Sequence, residues 1–183
     1  MKLTDVIAIF LKKNGIESVF GLQGGAVVHI FDSLEKNGIK VTYNHHEESA
    51  ALAASSFAKT KDNIGCAVVT TGPGSTNAIT GLLGAWQDSI PVIFISGQVR
   101  TDHMSYGKKV RQVGTQEVNI LDIIKPMTKY TKLVSDKNKI LDILNEAISV
   151  AISGRPGPVW IDLPLNYQWE DVPIIKSQIK KVK

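Results

Sequence analysis

His45-His46-Glu47-Glu48 sets two imidazoles beside two carboxylates, the pairing that both proton transfer and metal binding use. A zinc site of the helical protease kind needs a second His one helical turn after His46, and that position is Ala50. With that spacing absent, the run reads as a solvated polar cluster and no metal ligand is assigned in it. Gly72-Pro73-Gly74-Ser75-Thr76-Asn77 follows an apolar run and opens a helical pattern, which is the setting of a dinucleotide fingerprint, but its sixth position is Asn77 instead of Gly. Neither Gly-Lys-Ser nor Gly-Lys-Thr occurs, so the phosphate loop that ends that way is excluded. Ser75 and Ser96 lack the Gly-x-Ser-x-Gly surroundings of a hydrolase nucleophile. Cys66 is the one cysteine and sits in an apolar run, where a thiol acts as a small hydrophobe.

The elements that must hold these residues alternate along the chain. Thr4 can cap a helix whose apolar face is Val6, Ile7, Phe10 and Leu11, stopped at Gly15. A strand over 18–22 ends at Gly24-Gly25. A helix with Val27, Ile30, Phe31 and Leu34 on one face then runs to Asn37-Gly38. Ile39 to Tyr43 reads as a second strand, and Glu47 to Lys59 as an alanine-rich helix that permits close approach. Cys66 to Thr71 has the continuous apolar and β-branched character of a strand buried on both faces. A helix from Ser75 to Trp86, a strand from Pro91 to Ser96 and a loop from Val99 to Gln116 follow. Loops of that length are usually functional. A short helix over 120–124, a strand over 129–134, a helix over 140–151 capped by Ser135 or Asp136, and a strand over 158–163 complete the pattern. Alternation of this kind gives an α/β fold: a parallel sheet of about six strands with helices on both faces. Ligands bind such sheets at the carboxyl ends of the strands. The Gly24-Gly25 turn, the His45–Glu48 run, Gly72-Pro73-Gly74 and the loop after Gly97 all fall at that end.

Composition agrees with one soluble domain: 183 residues, 43% hydrophobic and 21% charged. The net charge of +4 comes from the tail, where residues 174–183 hold four lysines and no acid, leaving 17 basic and 17 acidic residues in the body. A basic footprint on a folded face, as nucleic-acid binding requires, is therefore not expected. The apolar runs are too short to span a membrane. Val6 to Leu11, set between Asp5 and Lys12-Lys13, does not read as a signal peptide, so a cytoplasmic protein is expected.

Taken in order, Val19-Phe20-Gly21-Leu22-Gln23-Gly24-Gly25-Ala26, His46-Glu47-Glu48-Ser49-Ala50, Thr70-Thr71-Gly72-Pro73-Gly74-Ser75-Thr76-Asn77, Asp88-Ser89-Ile90-Pro91, Ser96-Gly97-Gln98-Val99, Gly154-Arg155-Pro156-Gly157-Pro158 and Asp162-Leu163-Pro164 resemble a known family. It is the N-terminal, pyrimidine-binding domain of the thiamine-diphosphate enzymes of the acetolactate synthase and pyruvate oxidase group. The resemblance covers nearly the whole chain and implies the thiamine-diphosphate-binding fold over residues 1–173, with 174–183 as the start of an interdomain linker. It also implies that Glu47 bonds N1′ of the cofactor's aminopyrimidine. A partly desolvated carboxyl shares its proton with that nitrogen and favours the 4′-imino tautomer, which removes the thiazolium C2 proton. Gly24, Gly25 and Ala26 then resemble the loop over the thiazolium and substrate; Thr70, Pro73 and Asn77 the wall against the pyrimidine; and Gln116 a glutamine facing the substrate.

Two positions depart from the synthase pattern. Gln23 stands where Pro is usual, and Thr115 where Phe is usual. They fit an acetolactate-synthase-like enzyme acting on another 2-oxo acid, or transferring its carbanion equivalent to another acceptor. The family's diphosphate and Mg²⁺ sites, marked by Gly-Asp-Gly and Asn-Asn, do not occur in this sequence, nor does the middle domain that binds FAD in some members. The resemblance thus implies half of a cofactor site, completed by the diphosphate-binding domain of a second subunit in a homo-oligomer, at least a dimer. Two other readings stay open: the small subunit of a two-chain 2-oxo acid decarboxylase, and a non-catalytic regulatory or scaffold domain of the same fold.

Overall fold

A computed structural model describes residues 1–182. Its strands are β1 (Ser18–Gly21), β2 (Lys40–Tyr43), β3 (Gly65–Val69), β4 (Val92–Gln98), β5 (Tyr130–Leu133) and β6 (Val159–Pro164). They form one six-stranded sheet, parallel throughout, in the order β2-β1-β3-β4-β6-β5. Every position of β3, β4 and β6 is buried, the reason these segments read as unbroken apolar runs.

The helices are α1 (Leu3–Lys13), α2 (Val28–Lys36), α3 (Glu47–Lys61), α4 (Pro73–Asn77), α5 (Ile79–Gln87), α6 (Ile120–Ile124), α7 (Ile140–Ile152) and α8 (Leu165–Gln168). Phe10, Phe31 and Leu144 carry α1, α2 and α7 onto Ile93, Ile95 and Ile161 on one face. Ala54, Leu82 and Ile120 carry α3, α5 and α6 onto Ala67, Phe94 and Trp160 on the other. The α/β fold with both faces covered is therefore as expected. The chain leaves β1 for β2 through α2 on one face and returns to β3 through α3 on the other. That reversal opens a crevice between the ends of β1 and β3, where ligands of such sheets bind.

Four local expectations are corrected. Thr4 lies inside α1, not at its cap; its hydroxyl donates to the Gln168 carbonyl (3.0 Å) and pairs with Ser33 Oγ (2.8 Å). The helix expected from Ser75 to Trp86 begins at Pro73 and is broken at Ala78 into α4 and α5. β4 runs on through Gly97 to Gln98. Before α7 comes a 3-10 turn, Lys137–Lys139, capped by Asp136, whose carboxylate accepts from the Asn138 amide (3.0 Å). The lysine-bearing tail lies along the domain: Ile179 is fully buried, Lys13 Nζ donates to its carbonyl (2.7 Å), and the Val182 amide donates to Asn14 Oδ1 (2.8 Å).

Candidate functional site

The crevice is built from the turns that follow β1, β2 and β3. After β2, His46 caps α3, its Nδ1 accepting from the Glu48 amide (3.2 Å). Both His45 and His46 face solvent, as a solvated cluster would, whereas Glu47 turns inward and is 6% exposed. Glu47 Oε2 accepts from Asn77 Nδ2 (3.0 Å), and Oε1 makes no hydrogen bond among the described residues. A Cβ on Gly74 would come within 3.3 Å of that free oxygen and 2.6 Å of Thr70 Cγ2, and one on Gly24 would also strike Thr70 at 2.6 Å. Glycine at both positions thus lets the two turns close on Thr70, and at Gly74 it also leaves the free oxygen uncovered.

Thr70 joins the two glycine turns. Its Oγ1 accepts from the Ala26 amide (3.2 Å), and its carbonyl accepts from Ser75 Oγ (2.7 Å). From below, Gln168 Nε2 donates to the Ala26 carbonyl (2.7 Å). That carbonyl passes so close over β4 that a Cβ on Gly97 would lie 1.8 Å from it. Beyond Thr70, a cleft of about 310 Å³ is lined by Gly25, Ala26, Thr71, Arg100, His103 and Gln116, among others.

Gln116 reaches this cleft on the loop after β4, with φ of +61°. Its carbonyl packs on Gly72, where a Cβ would sit only 2.3 Å away and φ is +65°, so a side chain there is excluded on both counts. The sites expected from sequence are therefore brought together in two adjoining groups: Glu47, Asn77 and Gly24, and Gly25, Ala26 and Gln116, with Thr70 between them. Pro73 stands at the exposed start of α4, on the rim.

Sequence reading assigned no role to Thr71, Ser96, Gln98, Glu117, Asp162 and Gln168. For Ser96, Gln98 and Asp162 the signal is a polar residue inside a wholly buried strand, since such groups must find partners; Thr71, Glu117 and Gln168 lie outside the strands and carry no such signal. Asp162 on β6 accepts from Ser96 Oγ (2.6 Å) and Gln98 Nε2 (2.9 Å). Burial pushes its carboxyl up to about 6, against the pull of those two donors. Glu117 behaves in the opposite way. Burial works to raise its pKa, but the amides of Ser105, Val113 and Gly114 that it accepts from outweigh burial and hold it below the ordinary range.

A larger groove of about 730 Å³ opens at the amino-terminal end of the sheet beside Trp86, Lys129 and Arg155. Its cations are engaged in capping: Lys129 on the Val150 and Ser153 carbonyls, Arg155 on Ser89 Oγ and the Gln87 carbonyl.

A parallel α/β domain with glycine turns at the switch point and one inward carboxylate beside them has the arrangement in which such sheets bind ligands. The sequence model described as "Thiamine pyrophosphate enzyme, N-terminal TPP binding domain" matches residues 1–123, and the chain belongs to that family. It is 38% identical over 161 residues to the acetolactate synthase large subunit of Haemophilus influenzae, covering 87% of this chain and 27% of the relative. The acetolactate synthase isozyme 2 large subunit of Escherichia coli is 40% identical over 161 residues (86% of this chain, 28% of the relative). The probable acetolactate synthase large subunit of Methanocaldococcus jannaschii is 36% identical over 179 residues (98% and 29%). The chain thus spans under a third of the length of these curated relatives.

Proposed function

We propose that this chain is the pyrimidine-binding half of an acetolactate-synthase-like thiamine-diphosphate enzyme that decarboxylates a small 2-oxo acid and ligates or transfers the resulting carbanion equivalent. One observation carries the reading: Glu47 is buried with one oxygen fixed by Asn77 and the other free of any hydrogen bond beside the Gly74 turn, among the described residues. A single buried carboxylate with one oxygen free of protein donors fits the ring nitrogen of an aminopyrimidine. When bound, thiamine diphosphate supplies a thiazolium carbon able to add to a 2-oxo carbonyl.

The chain's own residues then divide the work. Glu47 Oε1 holds a proton against the ring nitrogen, and Asn77 keeps the carboxylate from rotating away. Thr70 and Pro73 wall the ring. Gly24, Gly25 and Ala26 leave room for the reacting carbon, and Gln116 faces the substrate. Arg100, which lines the same cleft and is paired with Asp102, offers a guanidinium to a substrate carboxylate. Gln23 and Thr115, which depart from the synthase pattern, support a donor or acceptor other than that of acetolactate synthesis.

The rest of the site lies elsewhere in this reading. Diphosphate and Mg²⁺ belong to a second domain on a neighbouring subunit of a dimer, and FAD, where used, to a middle domain. Residues 1–173 carry the site, and 174–182 pack along that body on the way to the next domain. Among the described residues no helix is long and apolar enough to cross a membrane.

Glu47→Gln in the complete enzyme tests the proposal. Exchange of the cofactor's C2 proton, followed by NMR, is expected to fall by roughly 10²–10⁴, the usual worth of a positioned acid–base group. Unchanged exchange would leave a binding-only or scaffold domain as the better account.

A further inference from the structure

Ser96-Gly97-Gln98-Val99 and Asp162-Leu163-Pro164 are motifs to which the reading above gives no task, yet they meet at the floor of the cleft. Ser96 and Asp162 are directly paired across β4 and β6, and Gln98, two residues on, shares their face. Ser96, Gln98 and Asp162 are each 0% exposed. The Asp162 carboxylate has neutral donors only: Ser96 Oγ (2.6 Å), which itself accepts from Trp160 Nε1 (2.8 Å), and Gln98 Nε2 (2.9 Å). A buried charge without a cation is a poor device for stability, and its retention asks for another explanation.

We propose that Asp162 is a positioning residue for the loop that carries Gln116, acting by fixing the orientation of the Gln98 amide. All the polar atoms of that amide are engaged. Oε1 accepts from Thr71 Oγ1 (3.0 Å) and the Val99 amide (2.9 Å), while Nε2 donates to Asp162 Oδ2 (2.9 Å) and the Val118 carbonyl (2.9 Å). Val99 and Val118 bracket the loop, so one side chain holds both of its ends.

The remaining contact runs to the cleft. The Thr71 hydroxyl lies between Gln98 Oε1 and the Gln116 carbonyl, 3.3 Å away, beside the close approach of that carbonyl to Gly72. A flipped amide would set N–H against the Val99 N–H and would set oxygen against both the Val118 carbonyl and the carboxylate. The negative charge of Asp162 makes that flip most costly. Inside the loop, Glu117 gathers the amides of Ser105, Val113 and Gly114, so the segment moves as a braced unit on the hinge that Gln98 holds. Gln116, with its left-handed backbone, rides on that unit.

Hydrogen exchange on the 183-residue chain tests this, with Asp162→Asn as the near-isosteric variant. Amides of Val99 and of residues 105–117 are expected to exchange about tenfold faster, the change that loss of one ordinary hydrogen bond produces, while β3 and β4 stay protected. Gln98→Met should give the same release, and the double variant no more than either alone. Trp160→Phe removes a hydrogen bond from the same network without touching the Asp162–Gln98 contact, and should leave loop exchange unchanged.

Loop exchange equal to wild type in Asp162→Asn, or faster exchange spread evenly over the sheet, would overturn the inference and leave Asp162 a structural residue. The link to substrate rests on the proposed function. In the complete enzyme, Asp162→Asn should raise KM for the 2-oxo acid severalfold with C2-proton exchange intact. A freed loop with unchanged KM would uphold the positioning role and count instead against Gln116 as a substrate contact.

Discussion

Among the described residues two carboxylates are buried, Glu47 and Asp162, and their surroundings give them opposite work. Glu47 keeps an oxygen free toward the crevice, whereas both oxygens of Asp162 are taken by protein donors. Saturation removes Asp162 from any contact with a ligand, so its charge can act only on conformation and on stability. Burial moves its carboxyl from an ordinary 3.8 to about 6, so the folded chain binds that proton more tightly than the unfolded chain does. The group's stabilising contribution is then complete below about pH 4 and is lost as pH rises through 6. Its full size is on the order of 3 kcal/mol. Asp162→Asn removes this linkage. Measured by calorimetry, the melting temperature of the variant relative to wild type should climb by about 5–10 °C between pH 4 and 7.5. A difference that stays constant with pH would show that the carboxyl does not titrate in that window.

At the scale of elements, the glycines decide how closely the loops approach the sheet. Gly97→Ala would drive a methyl group against the Ala26 carbonyl, at 1.8 Å, with backbone on both sides and no flexible side chain to yield. The cost should reach about 3 kcal/mol or more in chemical denaturation. Gly84 supplies the contrast: it lies within α5 with nothing inside 4 Å, and Gly84→Ala should stabilise by about 0.5–1 kcal/mol through helix propensity. If both changes cost alike, the close packing of the Ala26 turn on β4 is not what limits that position.

The strands and the long helices could be read from the sequence because burial on both faces leaves an unbroken apolar run and burial on one face leaves a period. Where other forces act, the pattern was silent. Thr4 has a capping side chain, but Ser33 and Gln168 compete for it and prevail. The break at Ala78 follows no breaker residue. The positive φ of Gln116 and the clamp of Glu117 on amides three, four and twelve residues before it belong to an irregular loop, where no period marks them. The candidate site itself was legible mainly as order of motifs, and its floor only as polar residues out of place in apolar strands.

For the whole molecule, the tail is the first test of what counts as the domain. Ile174 and Ile179 are buried, Lys13 at the end of α1 donates to the Ile179 carbonyl, and Asn14 just beyond it accepts from the Val182 amide. Ile179→Ala should therefore cost about 2–4 kcal/mol, as for other buried isoleucines, where a mere connecting strand would lose nothing. The second test concerns the cofactor. The crevice offers a ring one carboxylate, two glycine turns and a threonine, and among the described residues no group of three or more His, Cys, Asp or Glu could hold a metal ion. The aminopyrimidine and its methylene have about nine non-hydrogen atoms; at ~0.3–0.5 kcal/mol each this yields only ~3–4.5 kcal/mol. That corresponds to a dissociation constant on the order of millimolar. Calorimetric titration of the 183-residue chain with thiamine diphosphate should accordingly show no binding at micromolar concentrations, with or without Mg²⁺. Adding a separately made diphosphate-binding domain should raise the affinity by orders of magnitude, because charge and ring are then held at once. Micromolar binding to the chain alone would mean that this domain anchors the charged end as well, and the division of the site between two domains would have to be abandoned.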